Sequence, residues 1–512
     1  MDISVNMRLL NKDILLLPNK SRNNLPFRQW KGRLSSVFVL AALTLTACGG
    51  PSIPLGKVGN VTGDLGGVAS DEPRATLVAE DILSSGGTAA DAAAALYFTL
   101  AVTYPVAASV GGGGECIVYS TETNKLENLQ FQNKAPAAGG AIAIPGNIRG
   151  MAALQARYGR LDWTTLLSPA EKLANFGEPI SRAQHMAMIL NKEQLNLDFD
   201  LNRTFKDKEG KFVAEGTRIR QVQLAGLLSA LRSEGGASFY SGNWARTFIE
   251  DANNAGGRVT LQDIVNYKPI WVDARTFRVD DNMAGVSADT YGEPYARLWG
   301  SLFSEGKSIL RTKKDIPITE IADATASVFT DFNTASPFIS NGTTSFVTTD
   351  KEGNAVACVV GLKKPFGSGN IGAITGIVLA PNIPVEQSEF LTSPMLVVNL
   401  PNKDFYYGSA ATGGAAGTPA SVAMGIDIFG NDSSLDSAMN ASRLFTMGKL
   451  LPLLYETSMP DEEVAAINKE FPVLVEVDRL AVVNAIYCRN GKTFNCVSRH
   501  DPRGFGLSLI EN

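Results

Sequence analysis

The sequence predicts an α/β fold of four layers, in which two layers of strand are covered on their outer sides by two layers of helix. Three observations predict it. Short apolar runs with strand character fall on both sides of a long helical stretch. Apolar helical segments also lie at both ends of that arrangement, so each strand layer has a cover. The 49 glycines cluster in short runs inside apolar context, which marks tight backbone packing and positive-φ positions rather than linkers. With 512 residues, 45% of them hydrophobic, the chain can bury a large core.

The elements follow in order. Val58–Ser70 reads as a first strand. Asp71–Gly87 reads as a helix that starts at Asp71, has Pro73 in its first turn and ends at Gly86-Gly87. Thr88–Pro105 is apolar nearly all round, so it reads as a buried helix. Ala108–Ser120 turns a run of four glycines into a strand, and Lys125–Pro136 pairs as the next one. From Ile144 to Tyr267 the pattern is helical, with several segments ending on Gly. Ala274–Asn341 is weakly patterned. Ser345–Val360, Gly376–Ala380, Met395–Val398 and Phe405–Gly408 read as strands. Gly417–Gly430 and Leu435–Phe445 read as helices.

The N-terminal region carries a targeting signal. Lys31 and Arg33 precede the apolar run Ser35–Cys48, which is shorter than the roughly 20 residues that span a bilayer but suits a secretory signal. It ends in Leu45-Thr46-Ala47-Cys48, which resembles a bacterial lipobox with Cys48 as the lipidated residue. Secretion implies an oxidising compartment, the periplasm or the outer membrane. Of the other cysteines, Cys116 and Cys358 sit in apolar runs and read as buried thiols. Cys488 and Cys496 flank a short polar segment. A local disulfide and a free pair both remain open, because an Asn490-Gly491 turn alone would not set them opposite each other.

Composition excludes several classes. The net charge is −5 and the basic residues are scattered, so no nucleic-acid partner is indicated. Two histidines, His185 and His500, exclude a His-rich metal site and disfavour a Ser-His-Asp triad. No phosphate-binding loop or paired CxxC is present. A nucleophile in this chain has to work without histidine. An N-terminal threonine does so, because its own α-amine serves as base. Gly342-Thr343, in the stretch NGTTSFVTTD, has the residues for this chemistry. The hydroxyl attacks the preceding carbonyl, an ester forms, and water opens it. Glycine at the preceding position crowds the attack least.

The chain resembles the γ-glutamyltransferase (glutathione hydrolase) family of N-terminal nucleophile hydrolases. The resemblance runs over residues 58–510. It is carried by SSGGTAADAAAALYFTLAVTYPVAASVGGGGECIVYS, AIAIPGNIRGMAALQARYGRLDW, GGRVTLQDIVNYKPIW, TTSFVTTDKEGNAV, PFGSG, SAATGGAAG and the terminal DPRGFG. It implies a self-processing enzyme with Thr343 as nucleophile, cut between Gly342 and Thr343. The pieces would be a signal segment 1–47, a large chain 48–342 and a small chain 343–512, the last two forming a processed heterodimer. Gly413 and Gly414 on their own read as a tight turn; the resemblance makes them oxyanion-hole donors. No cofactor and no metal are implied, and the substrate is a small-molecule amide.

The departures fall on the groups that grip the glutamyl head in the family. Gln132 replaces the carboxylate-clamping Arg in FQNKAP. Val385, with Glu386 beside it, stands where the family has an ammonium-binding Asp. Phe390-Leu391 replaces two serines, leaving Ser393. Gly361 replaces a Thr that bonds the nucleophile, Ser345 replaces a His, and Lys363 replaces an Asn. Lys363 reads either as an anion-binding or amine-tuning group or as a solvated strand end. The stretch from Val286 to Asn341 is shorter than usual and reads as lacking the family's helical block. These changes imply an altered acyl group. They also leave a second class open, an inactive envelope lipoprotein on the same fold.

Overall fold

Alternation along one strand shows how the layers form. In Gly113–Ser120, Cys116 and Val118 point into a core shared with helices, while Ile117 and Tyr119 point into a core shared with a second sheet. The same split occurs in Thr343–Asp350, where Phe346 faces the helices and Val347 faces the other sheet. These strands are buried on both faces, which is the signature of sheets inside a sandwich. The computed structural model describes residues 66–193, 195–302, 316–331, 342–383, 392–491 and 495–511. All of them lie in one unit of the chain, Val61–Asn512.

The first sheet has seven strands, in the order Leu507–Glu511, Gly66–Ser70, Thr343–Asp350, Ala355–Gly361, Gly113–Ser120, Lys125–Gln130, Ile270–Asp273. The second has six, in the order Cys496–Arg499, Val482–Cys488, Asp404–Thr412, Met395–Asn399, Asn282–Val286, Arg275–Val279. Every neighbouring pair in both sheets is antiparallel. Helices Pro73–Ser84, Ala89–Thr103 and Trp163–Phe176 share a core with the first sheet; Glu293–Leu302 and Gly417–Gly430 share one with the second. The four-layer expectation holds.

Local sequence explains the central helix. Thr88 and Asp91 form a reciprocal capping box at its start, and every residue of Ala89–Thr103 is buried. Alanine on most turns lets neighbours pack closely, while Leu96, Phe98 and Leu100, all fully buried, each contribute about 1.5–3 kcal/mol of apolar burial. No helix among the described residues is long and apolar enough to cross a membrane.

Several expectations need correction. The helix expected to begin at Asp71 is Pro73–Ser84, capped by the Glu72 side chain, which accepts from the Ala75 N–H. Gly376–Ala380 is no strand; only an isolated bridge, Ile371 to Val378, forms there. The Leu435 helix stops at Asn440, and Leu444–Phe445 is a short strand. The weakly patterned stretch after Ala274 holds two strands of the second sheet and the helices Glu293–Leu302 and Ile318–Thr330, so it is not devoid of helix.

The cysteines also differ from expectation. Cys116 and Cys358 are directly opposed across two antiparallel strands, with Cα atoms 4.1 Å apart, and form a disulfide rather than buried thiols. Cys488 and Cys496 are likewise opposed and bridged. The Cys116–Cys358 bridge closes a loop of 242 residues, so it removes much entropy from the unfolded chain. Replacing both Cys116 and Cys358 by Ala is expected to lower the unfolding free energy by about 2–5 kcal/mol. Urea denaturation of wild type and double variant, both under non-reducing conditions, measures this; equal midpoints would refute the bridge.

Candidate active site

Thr343 is the first residue of its strand and is buried, with 5% of its surface exposed. Across the sheet it stands opposite Gly361, which stands opposite Gly113. The backbone is unusually close here. A Cβ on Gly361 would lie 2.6 Å from the Gly342 oxygen and 2.8 Å from Thr343 Cγ2. A Cβ on Gly342 would lie 2.3 Å from the Lys364 carbonyl carbon. Only glycine fits at either position. The Gly342 carbonyl accepts a hydrogen bond of 2.8 Å from the Leu362 N–H, which draws electron density away from its carbon.

A buried carboxylate holds the next two residues. Asp71 Oδ2 accepts from the Thr344 hydroxyl at 2.9 Å and from the Ser345 N–H at 3.1 Å. Its Oδ1 accepts from Asn484 Nδ2 at 2.7 Å, and Asn484 also bonds Ser345. Ser345 in turn donates to the Ala410 carbonyl of the second sheet at 2.9 Å. Burial pushes the Asp71 carboxyl up to about 6, against the pull of these hydrogen bonds. The sequence did not reveal Asp71 or Asn484, because no local pattern links residues 71, 343 and 484.

Thr343 shares a pocket of about 40 Å³ with Asp71, Tyr104, Thr412 and Arg479. That volume suits a few waters. Thr412 ends its strand, and Gly413 follows with φ 105°, a left-handed conformation that glycine adopts freely. Among the described residues, the Gly413 N–H donates to no acceptor. Gly414 opens the short 3-10 turn that leads into helix Gly417–Gly430. A Cβ on Gly413 would lie 2.6 Å from the Ala481 Cα. The Ala481 segment is fixed by the terminal DPR motif. Asp501 pairs with Arg443 at 2.6 Å and accepts from the Val483 N–H at 2.8 Å. Arg443 donates to the Leu480 and Ala481 carbonyls, and Arg503 pairs with Glu456.

A second polar cluster lies along the same end of the sheets. Gln132 Nε2 reaches Asp289 Oδ2 at 3.5 Å. Ser393 Oγ accepts from the Ser287 N–H at 2.8 Å and donates to the Pro394 carbonyl at 2.7 Å. The Ser287 hydroxyl lies 2.6 Å from Glu115 Oε2 and 2.7 Å from Asp289 Oδ1. One hydroxyl proton cannot serve both contacts. Asp289 Oδ1 also accepts from the Tyr291 N–H at 2.9 Å, and Glu115 Oε2 from Asn128 Nδ2 at 3.3 Å, so burial decides between the two carboxyls. The fully buried Glu115 keeps the proton and donates it to Ser287, which donates to Asp289. Glu115 is fully buried, and desolvation with the nearby Asp289 charge pushes its carboxyl up to about 8. Sequence reasoning missed Glu115, although a lone acid inside the apolar run GGECIVYS was a visible signal.

The structure thus brings Gln132 and Ser393 together through Ser287 and Asp289, and places Gly413 beside the pocket of Thr343. Lys363 is buried, with φ 67°, and its Nζ donates to the Ile383 carbonyl at 3.0 Å. It is not the solvated strand end that one reading allowed, and burial lowers its ammonium to about 8. Glu386, Val385, Phe390, Leu391 and Cys48 lie outside the described residues. His185 meets the Val213 carbonyl. Among the described residues, no group of three or more His, Cys, Asp or Glu is placed to hold a metal ion.

The chain is similar to known proteins over part of its length. Residues 75–287 match the family model Gamma-glutamyltranspeptidase. Scoloptoxin SSD14 of Scolopendra dehaani is 31% identical over 228 residues, covering 41% of this chain and 40% of that protein. The glutathione hydrolase proenzyme of Bacillus subtilis is 29% identical over 241 residues, covering 42% and 41%. The chain therefore spans about two-fifths of the length of each of these curated relatives. The crystal structure of cephalosporin acylase from Bacillus halodurans superposes with a TM-score of 0.73 at 20% identity, covering 90% of this chain and 98% of that one. That likeness establishes the fold.

The Glu115 proton has a consequence for stability. Unfolded, the carboxyl ionises near 4.5; folded, it holds its proton until about 8. Between those values the folded chain binds the extra proton, so stability falls as pH rises through the window. Glu115→Gln keeps a donor for Ser287 without the titration. Its urea midpoint is expected to decline less than that of wild type from the acid to the alkaline end of the window. Parallel declines would refute the assignment.

Proposed function

Because the chain belongs to the γ-glutamyltranspeptidase family, we propose that it is a self-processing amidohydrolase in which Thr343 is first the cutting group and then the catalytic nucleophile. The observation that carries the proposal is the geometry of one peptide bond. The Gly342 carbonyl is polarised by the Leu362 N–H, and the hydroxyl-bearing Thr343 begins a strand that Asp71 holds in place through the next two residues.

In maturation, Thr343 Oγ attacks the Gly342 carbonyl carbon. The C–N bond breaks as the C–O bond forms, and the hydroxyl proton passes to the departing nitrogen. Water then hydrolyses the ester, leaving Gly342 with a carboxylate and Thr343 with a free amine. In turnover, that amine takes the hydroxyl proton as Oγ attacks a substrate amide. Its reference pKa of about 7.7–8.0 leaves part of it neutral near pH 7. The Gly413 N–H, together with that of Gly414, stabilises the oxyanion. The amine leaves, and water or an acceptor amine releases the acyl group.

A γ-glutamyl amide is the default substrate class of this reading, and another amide is its rival, since Gln132 offers no cation where the family clamps a carboxylate. The run ending at Cys48 supports a mature chain tethered by lipid in the periplasm or outer membrane.

On a reducing denaturing gel the purified wild type is expected to give two bands, with a new terminus reading Thr-Thr-Ser-Phe, and Thr343→Ala one band. A single intact band from both would overturn the proposal. Gly413→Ala, strained at φ 105° and pressed on Ala481, is expected to lower kcat by about a hundred- to a thousandfold in a chromogenic amide assay. Unchanged turnover would remove Gly413 from the oxyanion hole.

A further inference from the structure

The cluster around Ser287 says what kind of acyl group the site takes. It lies on the row that begins at the nucleophile. Thr343, Gly361 and Gly113 are successive partners across the first sheet, and Gly113 packs on the Gln132–Asn133 backbone, where its Cβ would lie 2.3 Å from the Asn133 N. Two strand spacings, about 10 Å, separate Thr343 from Gly113. Glu115 lies on the same strand as Gly113, two residues inward, and faces Ser287 of the second sheet.

Two buried acceptors on this path are unpaired among the described residues, while the side-chain donors beside them, Gln132, Asn133 and Ser287, are already engaged. Asp289 is partly accessible and, since Glu115 holds the shared proton, carries the negative charge. Glu115 Oε1 and Asn133 Oδ1 are buried and have no hydrogen-bond partner. Gln132, where a carboxylate-binding cation would stand, offers Asp289 only a long amide contact. Arg275 acts on Asp289 electrostatically but forms no ion pair with it among the described residues. The cations nearer Thr343 bond backbone carbonyls: Lys363 that of Ile383, and Arg479 that of Arg503.

We propose that Asp289, backed by neutral Glu115 and flanked by Gln132, forms an acyl subsite that selects a chain ending in an ammonium group and rejects one ending in a carboxylate. The inference rests on the reading of Thr343 as the acyl-forming nucleophile. The ammonium would donate to the Asp289 carboxylate, while an anionic end would face the same charge, which, among the described residues, Arg275 offsets without pairing to it.

The test uses the full purified chain and nitroanilides of matched length: 4-aminobutanoyl and 6-aminohexanoyl against glutaryl and adipoyl. The aminoacyl substrates are expected to lead in kcat/KM by about ten- to a hundredfold, the worth of one charge-assisted contact. Asp289→Asn is expected to erase that lead chiefly through KM. Gln132→Arg, a change at a partly exposed position, is expected to reverse it even if the first variant folds poorly. A lead for the carboxyacyl substrates, or a ratio that neither variant moves, overturns the subsite. Calorimetric titration of wild type with 6-aminohexanoate and adipate decides the case if no anilide turns over. Tighter 6-aminohexanoate supports the subsite; tighter adipate, or no binding of either, sinks it. An uncut chain with no new Thr343 terminus would instead sink the nucleophile reading, and the titration would still report on Asp289.

Discussion

One buried carboxylate ties the functional end of the sandwich together. Asp71 leaves the first strand and binds two consecutive residues of the Thr343 strand, while its other oxygen binds Asn484 from the second sheet. It is the point where both sheets are fixed relative to the residue that begins the strand. Removing water from this carboxylate is costly, as its raised pKa records, and the three donors offset that cost. Without the Asp71 contacts, the start of the strand would be held by ladder bonds and by the contacts of Ser345 with Asn484 and Ala410, and strand ends fray.

The opposite wall is fixed in another way. Gly413 is set by contact with the Ala481 backbone, and that backbone is held by Arg443 and Asp501 deep in the second half of the chain. A buried ion pair of this kind adds little net stability but is costly to break, which suits a part that has to keep one geometry. In the proposed reaction, substrate chemistry depends on two supports built from different sheets. The polar cluster of Glu115, Ser287 and Asp289 completes the row, and its single shared proton gives that end of the cleft its charge.

Much of this was legible in the sequence. Gly417–Gly430 was read with its observed bounds, because glycines mark both ends and most of the interior is apolar. The helix within Thr88–Pro105 was read because the segment is apolar nearly all round, and it is Ala89–Thr103. Thr343, Gly413, Gln132 and Ser393 were singled out as candidates through short motifs whose residues are neighbours in the chain. The parts that were missed depend on neighbours distant in the chain. Asp71 and Asn484 meet across 413 positions, and Cys116 and Cys358 across 242. The strands Arg275–Val279 and Asn282–Val286 escaped because each is five residues long, the first with two arginines and the second with small residues at its centre, so neither period stands out. Gly376–Ala380 misled in the opposite direction: its apolar run is buried in a loop and needs no ladder.

The position of the first disulfide has an effect on any cut ahead of Thr343. Cys116 precedes that bond in the chain and Cys358 follows it. A nick there would leave the pieces sewn together by sulfur inside the first sheet. The fresh amino end could swing clear of residue 342 while its counterpart stayed attached. Dissociation, the ordinary hazard of a two-piece protein at low concentration, would then await a reductant rather than dilution.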